Sequence, residues 1–190
     1  MTSASTPSAE APQLSPAPHR DLVGEGIVLR PWRFDDAPAL MAMAADPLIA
    51  TWNPLDAKTL EDAQAWITKM GDWTDFGTWA IHDDTTDAIL GSISLFHLDA
   101  KNSSGEIGYT IGPNARGRGV AARAIAAVGN FAFDELKVVR LEIFHAIENE
   151  RSCSAATKAG FRLEGTLRKS FRYADGLLHD EHIHGRLSDD

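Results

Sequence analysis

The amino-acid sequence predicts an α+β fold: a mixed, mostly antiparallel central sheet flanked by helices, with one βαβ crossover. Three observations predict it. The middle of the chain carries three strand-like runs joined by short polar turns, "TWAIHD" (78–83), "AILGSISLFHLD" (88–99) and "EIGYTIG" (106–112), the pattern of antiparallel hairpins. After the third run the period becomes helical, with Val120, Ala124, Val128, Phe131 and Ala132 tracing one face, and then reverts to a strand in "VVRLEIFHA" (138–146). Strand, helix, strand at this spacing makes a right-handed crossover between parallel neighbours. Near the C-terminus, two further runs meet at Asp175-Gly176, the strongest short hairpin signal in the chain.

The remaining elements follow in chain order. Residues 1–20 hold four of the nine prolines, with Ser, Thr and Ala filling most gaps, and are expected to be a disordered tail ahead of one folded domain, 21–190. Ordered structure is expected to begin at "GIVLRPW", a strand closed by Pro31. "RFDDAPALMAMAADP" reads as a helix, with Asp35 or Asp36 as cap, Leu40, Met41 and Met43 on its apolar face and Pro47 stopping it. In "TLEDAQAWITKMGDW", Thr59 and Asp62 stand in capping-box spacing, and Leu60, Ala63, Trp66, Ile67 and Met70 make a helical stripe. A short helix opens at Asn149 and ends at Gly160.

Composition removes several function classes. At 190 residues with 44% hydrophobic and 24% charged content, the chain can bury one substantial core. Its net charge of -9 argues against a broad nucleic-acid or anionic-membrane footprint, so any anion site must be local. The lone Cys153 excludes an internal disulfide and suits a reducing compartment. With neither a membrane-length apolar run nor a secretory signal, the expected location is cytoplasmic.

The local anion site is "NARGRGVAA" (114–122). Gly117 and Gly119 let the backbone approach a ligand, the amides of the next helix point outward, and Arg116 and Arg118 add charge, which together suit a pyrophosphate. No acid follows until Asp134. A Walker loop would need Gly-Lys before Ser or Thr, and a dinucleotide fingerprint would need glycine where Ala122 stands, so both nucleotide patterns fail. The bland alternative is a Gly-rich turn with solvated arginines.

"EIGYTIGPNARGRGVAARA", then "NERSCSAATKAGFRLEGTLR", then "DG" and "HDEHIHGRL", resemble the GNAT superfamily of acetyl-CoA-dependent N-acetyltransferases, and within it the RimJ/RimL-like branch. The loop signature falls on Asn114, Gly117 and Gly119. The second falls on Asn149, Ser152, Lys158, Gly160, Phe161, Glu164, Gly165 and Arg168. The likeness runs from about Gly26 to Leu187. It implies acetyl-CoA as cosubstrate, held in a cleft where the strand ending at Ile111 splays from the strand ending near Ala146. The pantetheine arm would pair with the backbone of Tyr109, Thr110 and Ile111, and the pyrophosphate would rest on the amides of Arg116, Gly117, Arg118, Gly119, Val120 and Ala121. The anion deduced from the loop chemistry falls at the same place. The expected partner is a primary amine, a protein N-terminus or a small molecule, with a homodimer left open.

By the same resemblance, Glu106 takes the position of a general base and Ser152 that of a hydroxyl near the CoA sulfur, while Asn149 caps a helix bordering the pantetheine. Two departures stand out: Ala156 replaces the tyrosine that protonates the thiolate in many members, and Asn114 replaces Gln or Arg. Read without the family, Glu106 is a solvated strand-end carboxylate and Ser152 an ordinary first-turn serine. No histidine is indicated by sequence beside Cys153, and His145 could face the cleft, with core or edge placement favoured. In a strand His182 and His184 share a face that His179 does not, so no metal site is expected. The segment "TWNPLDA" resembles the acceptor-side loop, and Asp46, Asp56 and Asp62 nearby could favour a cationic acceptor. A non-catalytic acyl-CoA sensor on the same fold is the alternative function.

Overall fold

The computed structural model describes residues 19–73 and 77–190. The predicted tail therefore lies outside the described residues, except at its last two positions. There His19 stacks on Trp73 and Arg20 pairs with Glu135, while the Arg20 carbonyl accepts from Trp79 Nε1 at 3.0 Å.

Among the described residues, eight strands form one sheet: β1 (Leu22–Gly24), β2 (Ile27–Pro31), β3 (Gly77–Asp83), β4 (Ile89–Asp99), β5 (Ser104–Ile111), β6 (Arg140–Ala146), β7 (Arg162–Arg172) and β8 (Leu178–Leu187), in the order β1-β2-β3-β4-β5-β6-β8-β7. Every neighbouring pair is antiparallel except β5 and β6, which are joined by the crossover helix. Five α-helices accompany them: α1 (Ala37–Ala44), α2 (Pro47–Trp52), α3 (Leu60–Met70), α4 (Val120–Asp134) and α5 (Glu150–Lys158).

Both faces of the sheet are covered. The face of α4 formed by Val120, Ala124, Val128, Phe131 and Ala132 is buried against Leu29, Trp79, Ile81, Ile93, Leu95, Leu141 and Ile143, as its period predicts. On the other face, Leu40 of α1 and Ala63 and Ile67 of α3 pack with Trp32 and Ala80. Burial on both sides explains why β3 reads as a continuous apolar run rather than an alternating one.

Three local differences from the sequence reading have physical causes. β1 extends the sheet, because Glu25-Gly26 makes a two-residue hairpin with Gly26 at φ 65°, a conformation only glycine adopts freely. Neither acid caps α1 with its side chain. Asp36 instead accepts two hydrogen bonds of 2.8 Å from the Arg30 guanidinium and a third from the Arg33 amide, a buried pairing that outweighs a cap. Pro47 both ends one helix and begins another: Asp46 accepts from the amides of Leu48 and Ile49, and Pro47 occupies the first turn of α2. The Thr59/Asp62 capping box of α3 forms in both directions, and its stripe is only partly buried, with Leu60 exposed.

Candidate active site

β5 and β6 pair only at Ser104/Arg140, Gly105/Leu141 and Glu106/Glu142. Beyond Glu106 they part, and the gap opens into a cleft of about 1910 Å³ reached by β4, β5, α2, the loop before α4, and the start of α5. The strand that parts from β6 keeps its full pairing with β4 on the other side, so its backbone stays extended while one edge faces the cleft.

The structure brings Glu106, Tyr109, Thr110, Ile111, Arg116, Gly117, Gly119, Val120, Ala121, Asn149 and Ser152 to the lining of this one cleft; Arg118 lies just outside it. Strand alternation sorts β5. Glu106 and Thr110 point to one face, where Thr110 Oγ1 accepts from Asn53 Nδ2 of the α2 end at 2.8 Å. Tyr109 points to the other, towards α5. Its hydroxyl lies 2.6 Å from Ser152 Oγ and donates to the Ser152 carbonyl at 3.1 Å. Burial pushes the Tyr109 phenol up to about 12, with the Ser152 hydrogen bond opposing, so the hydroxyl keeps its proton. Asn149 Oδ1 accepts from the Ser152 amide at 3.3 Å, which orients the first turn of α5 towards the gap.

Glu106 has a partner that sequence reasoning missed. His97 Nδ1 lies 2.9 Å from Glu106 Oε1, and the carboxylate side chain remains about a quarter exposed (27%). His97 and Glu106 stand near one another across the β4–β5 hairpin, where Phe96 registers with Glu106, and that cross-strand register could have suggested the contact.

The loop before α4 differs from its sequence reading in one respect. Gly117 (φ 75°) and Gly119 (φ 74°) are left-handed, and a Cβ on either would meet nothing within 4 Å, so the backbone faces open space. α4 carries no acid in its first turn. The two arginines, however, are engaged: Arg116 makes bonds of 3.2 and 2.5 Å to Asp46, and Arg118 lies 3.1 Å from Asp83. Pairing with Arg116 holds the Asp46 carboxyl below its usual value. Within the loop, the positive potential left for an anion is that of the amides and the helix dipole, while Arg151 and Lys158 add charge elsewhere on the cleft lining.

Two of the three acids near the acceptor-side loop are committed within the fold, Asp46 to Arg116 and the α2 cap and Asp62 to the α3 cap. The far end of the cleft is built instead from Trp52, Tyr173, Glu148 and Glu181. Trp52 meets Tyr173 edge-on at 5.5 Å, and Tyr173 and Ser170 each donate to Glu181 at 2.9 Å. His179 joins this wall, held above its usual pKa by Asp175 and Glu148.

His182 and His184 do face away from His179, as strand parity requires. The β6–β8 register then sets His145 opposite His182, and α5 lays Cys153 over the same face. Cys153 thus has three histidines nearby, which no local sequence signal announces.

This combination of fold, split parallel pair and glycine loop defines an acyltransferase scaffold. Residues 27–162 match the acetyltransferase (GNAT) domain, and the chain belongs to that family of N-acetyltransferases. YdaF of Bacillus subtilis, provisionally named a ribosomal N-acetyltransferase, is 32% identical over 130 residues, 67% of this chain and 69% of that protein. The N-acetyltransferase p20 of Bacillus licheniformis is 28% identical over 170 residues, 87% and 95% of the two chains. Among solved structures, RimJ of Mycobacterium smegmatis in complex with CoA-disulfide superposes with a TM-score of 0.79 at 21% identity, over 90% of this chain and 87% of that one, a likeness of fold. Among the described residues, no helix is long and apolar enough to cross a membrane.

Proposed function

We propose that this chain transfers the acetyl group of acetyl-CoA to a primary amine by direct attack within a ternary complex. The observation that carries the reading is the Tyr109–Ser152 hydrogen bond of 2.6 Å spanning the mouth of the β5–β6 gap, beside a glycine loop whose amides face open space. The residues fit the cosubstrate. The free edge of β5 at Tyr109, Thr110 and Ile111 offers strand pairing to a pantetheine arm, and the amides of residues 117–121 offer donors to a pyrophosphate, the Arg116 amide being turned to the Pro113 carbonyl.

Acetyl-CoA supplies an activated thioester, and the chain's residues handle its protons and charge. Glu106, steadied by His97, accepts the proton of the attacking amine through water. An amide of β5 near Ile111 stabilises the oxyanion as the C–N bond forms. Ser152 passes a proton to the sulfur as the C–S bond breaks while Tyr109, turned from the Ser152 carbonyl to Ser152 Oγ, passes its own to the serine oxygen, and solvent restores the phenol. The pair Tyr109–Ser152 occupies the role left open by Ala156. A protein N-terminus is the favoured acceptor, supported by the name carried by YdaF and by the wide, aromatic far end of the cleft.

The test is CoA release across a panel of small amines and N-terminal peptides, with Glu106→Gln and Ser152→Ala measured over a range of pH. Each variant is expected to lower kcat about 100-fold with acetyl-CoA KM little changed. Unchanged turnover in both would end the assignment, and tight acetyl-CoA binding without turnover on any amine would favour a sensor.

A further inference from the structure

At the α5 end of the cleft, with His145 part of its lining, lies a constellation to which the proposed acetyl transfer assigns no role. His145 of β6, His182 and His184 of β8 and Cys153 of α5 each offer one ligand atom, and these atoms all lie within 4.8 Å of one another. His184 is fully buried and His145 nearly so, while Cys153 and His182 are partly buried.

The polar atoms here are arranged inward. His145 Nδ1 lies 2.8 Å from the Ala146 carbonyl, which only accepts, so that nitrogen carries the proton and Nε2 presents a lone pair to the cluster. A backbone carbonyl on the outer ring nitrogen is the usual support of a metal-bound histidine. His145 Nε2 stands 3.2 Å from His184 Nε2. Nδ1 of His182 is buried without a hydrogen-bond partner among the described residues, a cost that a packed, uncharged core would avoid.

We propose that His145, Cys153, His182 and His184 form a tetrahedral Zn²⁺ site that ties α5 to β6 and β8. Three nitrogens and one sulfur are zinc donors and offer nothing to Ca²⁺ or Mg²⁺, which take oxygen. Bonds of about 2.0–2.3 Å give tetrahedral edges of roughly 3.3–3.7 Å. The His145–His184 edge is already near that length, and rotation of the partly buried Cys153 and His182 side chains closes the rest. On binding, each imidazole contributes a lone pair and the Cys153 thiol releases its proton to solvent. Because Ser152 precedes Cys153 directly, the ion would also fix the turn of α5 that faces the acetyl-transfer cleft.

The experiment uses the full chain, stripped with a chelator, equilibrated with Zn²⁺ alone, desalted and assayed for metal by mass spectrometry. One zinc per chain is expected, together with a rise in thermal midpoint. Replacing zinc with Co²⁺ should give a sulfur-to-metal charge-transfer band. Cys153→Ala and His182→Ala, chosen because neither side chain is fully buried, should lose the retained zinc and the band while keeping the wild-type far-UV circular dichroism. Failure of the wild type to retain zinc overturns the proposal. So does retention of zinc at the wild-type level by either variant. If Cys153→Ala does not fold, slower reaction of the Cys153 thiol with a disulfide reagent in zinc-loaded wild type gives the same answer, and an unchanged rate overturns it.

Discussion

β6 has two neighbours and treats them differently. With β5 it pairs over three registers, from Ser104/Arg140 to Glu106/Glu142, and then parts. With β8 it stays zipped from Arg140/Leu187 to Ala146/Glu181. The parallel side is joined through a crossover and bonded by slanted hydrogen bonds, so it loses little by opening. Opening exposes a strand edge, and the elements around it are then held by polar ties: Tyr109 to Ser152, Asn53 to Thr110, Arg116 to Asp46. The zipped side keeps side chains in fixed register and is held by burial, with Leu141, Ile143 and Phe161 almost without exposure. An open seam suits recognition by backbone, a closed one convergence of side chains.

Breaking the closed side should therefore cost the most stability. Phe161→Ala at the foot of α5 removes a side chain that is 1% exposed and is expected to destabilise the fold by about 3–5 kcal/mol. Urea unfolding measures it, and the protein that remains folded should bind acetyl-CoA with little change. A loss under about 1 kcal/mol would show that the closed side is not held by packing.

Filling the open side should cost binding instead. Gly119→Val places a β-branched side chain at φ 74° and projects it into the space above the α4 amides. Strain of about 1–3 kcal/mol in that loop corresponds to a fall of roughly 5- to 150-fold in acetyl-CoA affinity by titration calorimetry. Wild-type affinity would remove the loop from the proposed cosubstrate site.

How much of this was legible beforehand follows the same division. Local period and spacing foretold the buried face of α4, the Thr59/Asp62 box, the Asn149 cap and the Asp175-Gly176 hairpin, because each depends on residues within a few positions of one another. The family resemblance placed the gap and most of its lining. Contacts between segments distant in sequence stayed hidden: Arg116 with Asp46, Arg118 with Asp83, and His145 and Cys153 with His182 and His184. Parity within β8 was argued correctly, but one strand says nothing of what its neighbour and the overlying helix bring to the same face. β1 was missed although Glu25-Gly26 between two apolar pairs carried its signal.

The polar ties of the open side can be cut singly. Tyr109→Phe deletes the hydroxyl that meets Ser152 and should lower kcat by about tenfold, the scale of one hydrogen bond of roughly 0.5–1.5 kcal/mol, with acetyl-CoA KM little moved. An equal loss in KM would mean that Tyr109 serves binding rather than the orientation of Ser152.

The smallest effect is expected at Asp46. Asn is as good a helix cap as Asp, so Asp46→Asn keeps the α2 cap while discarding the charge that meets Arg116. The Asp46 carboxyl is held below its usual value first by Arg116, with burial opposing and the Ile49 amide adding to the lowering. A lowered carboxylate contributes stability that is complete above the unfolded carboxyl pKa of about 3.9 and is lost as pH falls through its value in the fold. Because the pair lies near the surface, that contribution should stay under about 1 kcal/mol and shrink in high salt. Urea midpoints of wild type and Asp46→Asn should therefore differ above about pH 5 and converge in acid. Curves that stay parallel throughout would show that the Arg116–Asp46 tie adds nothing, leaving the open side held by its strand and its glycine loop alone.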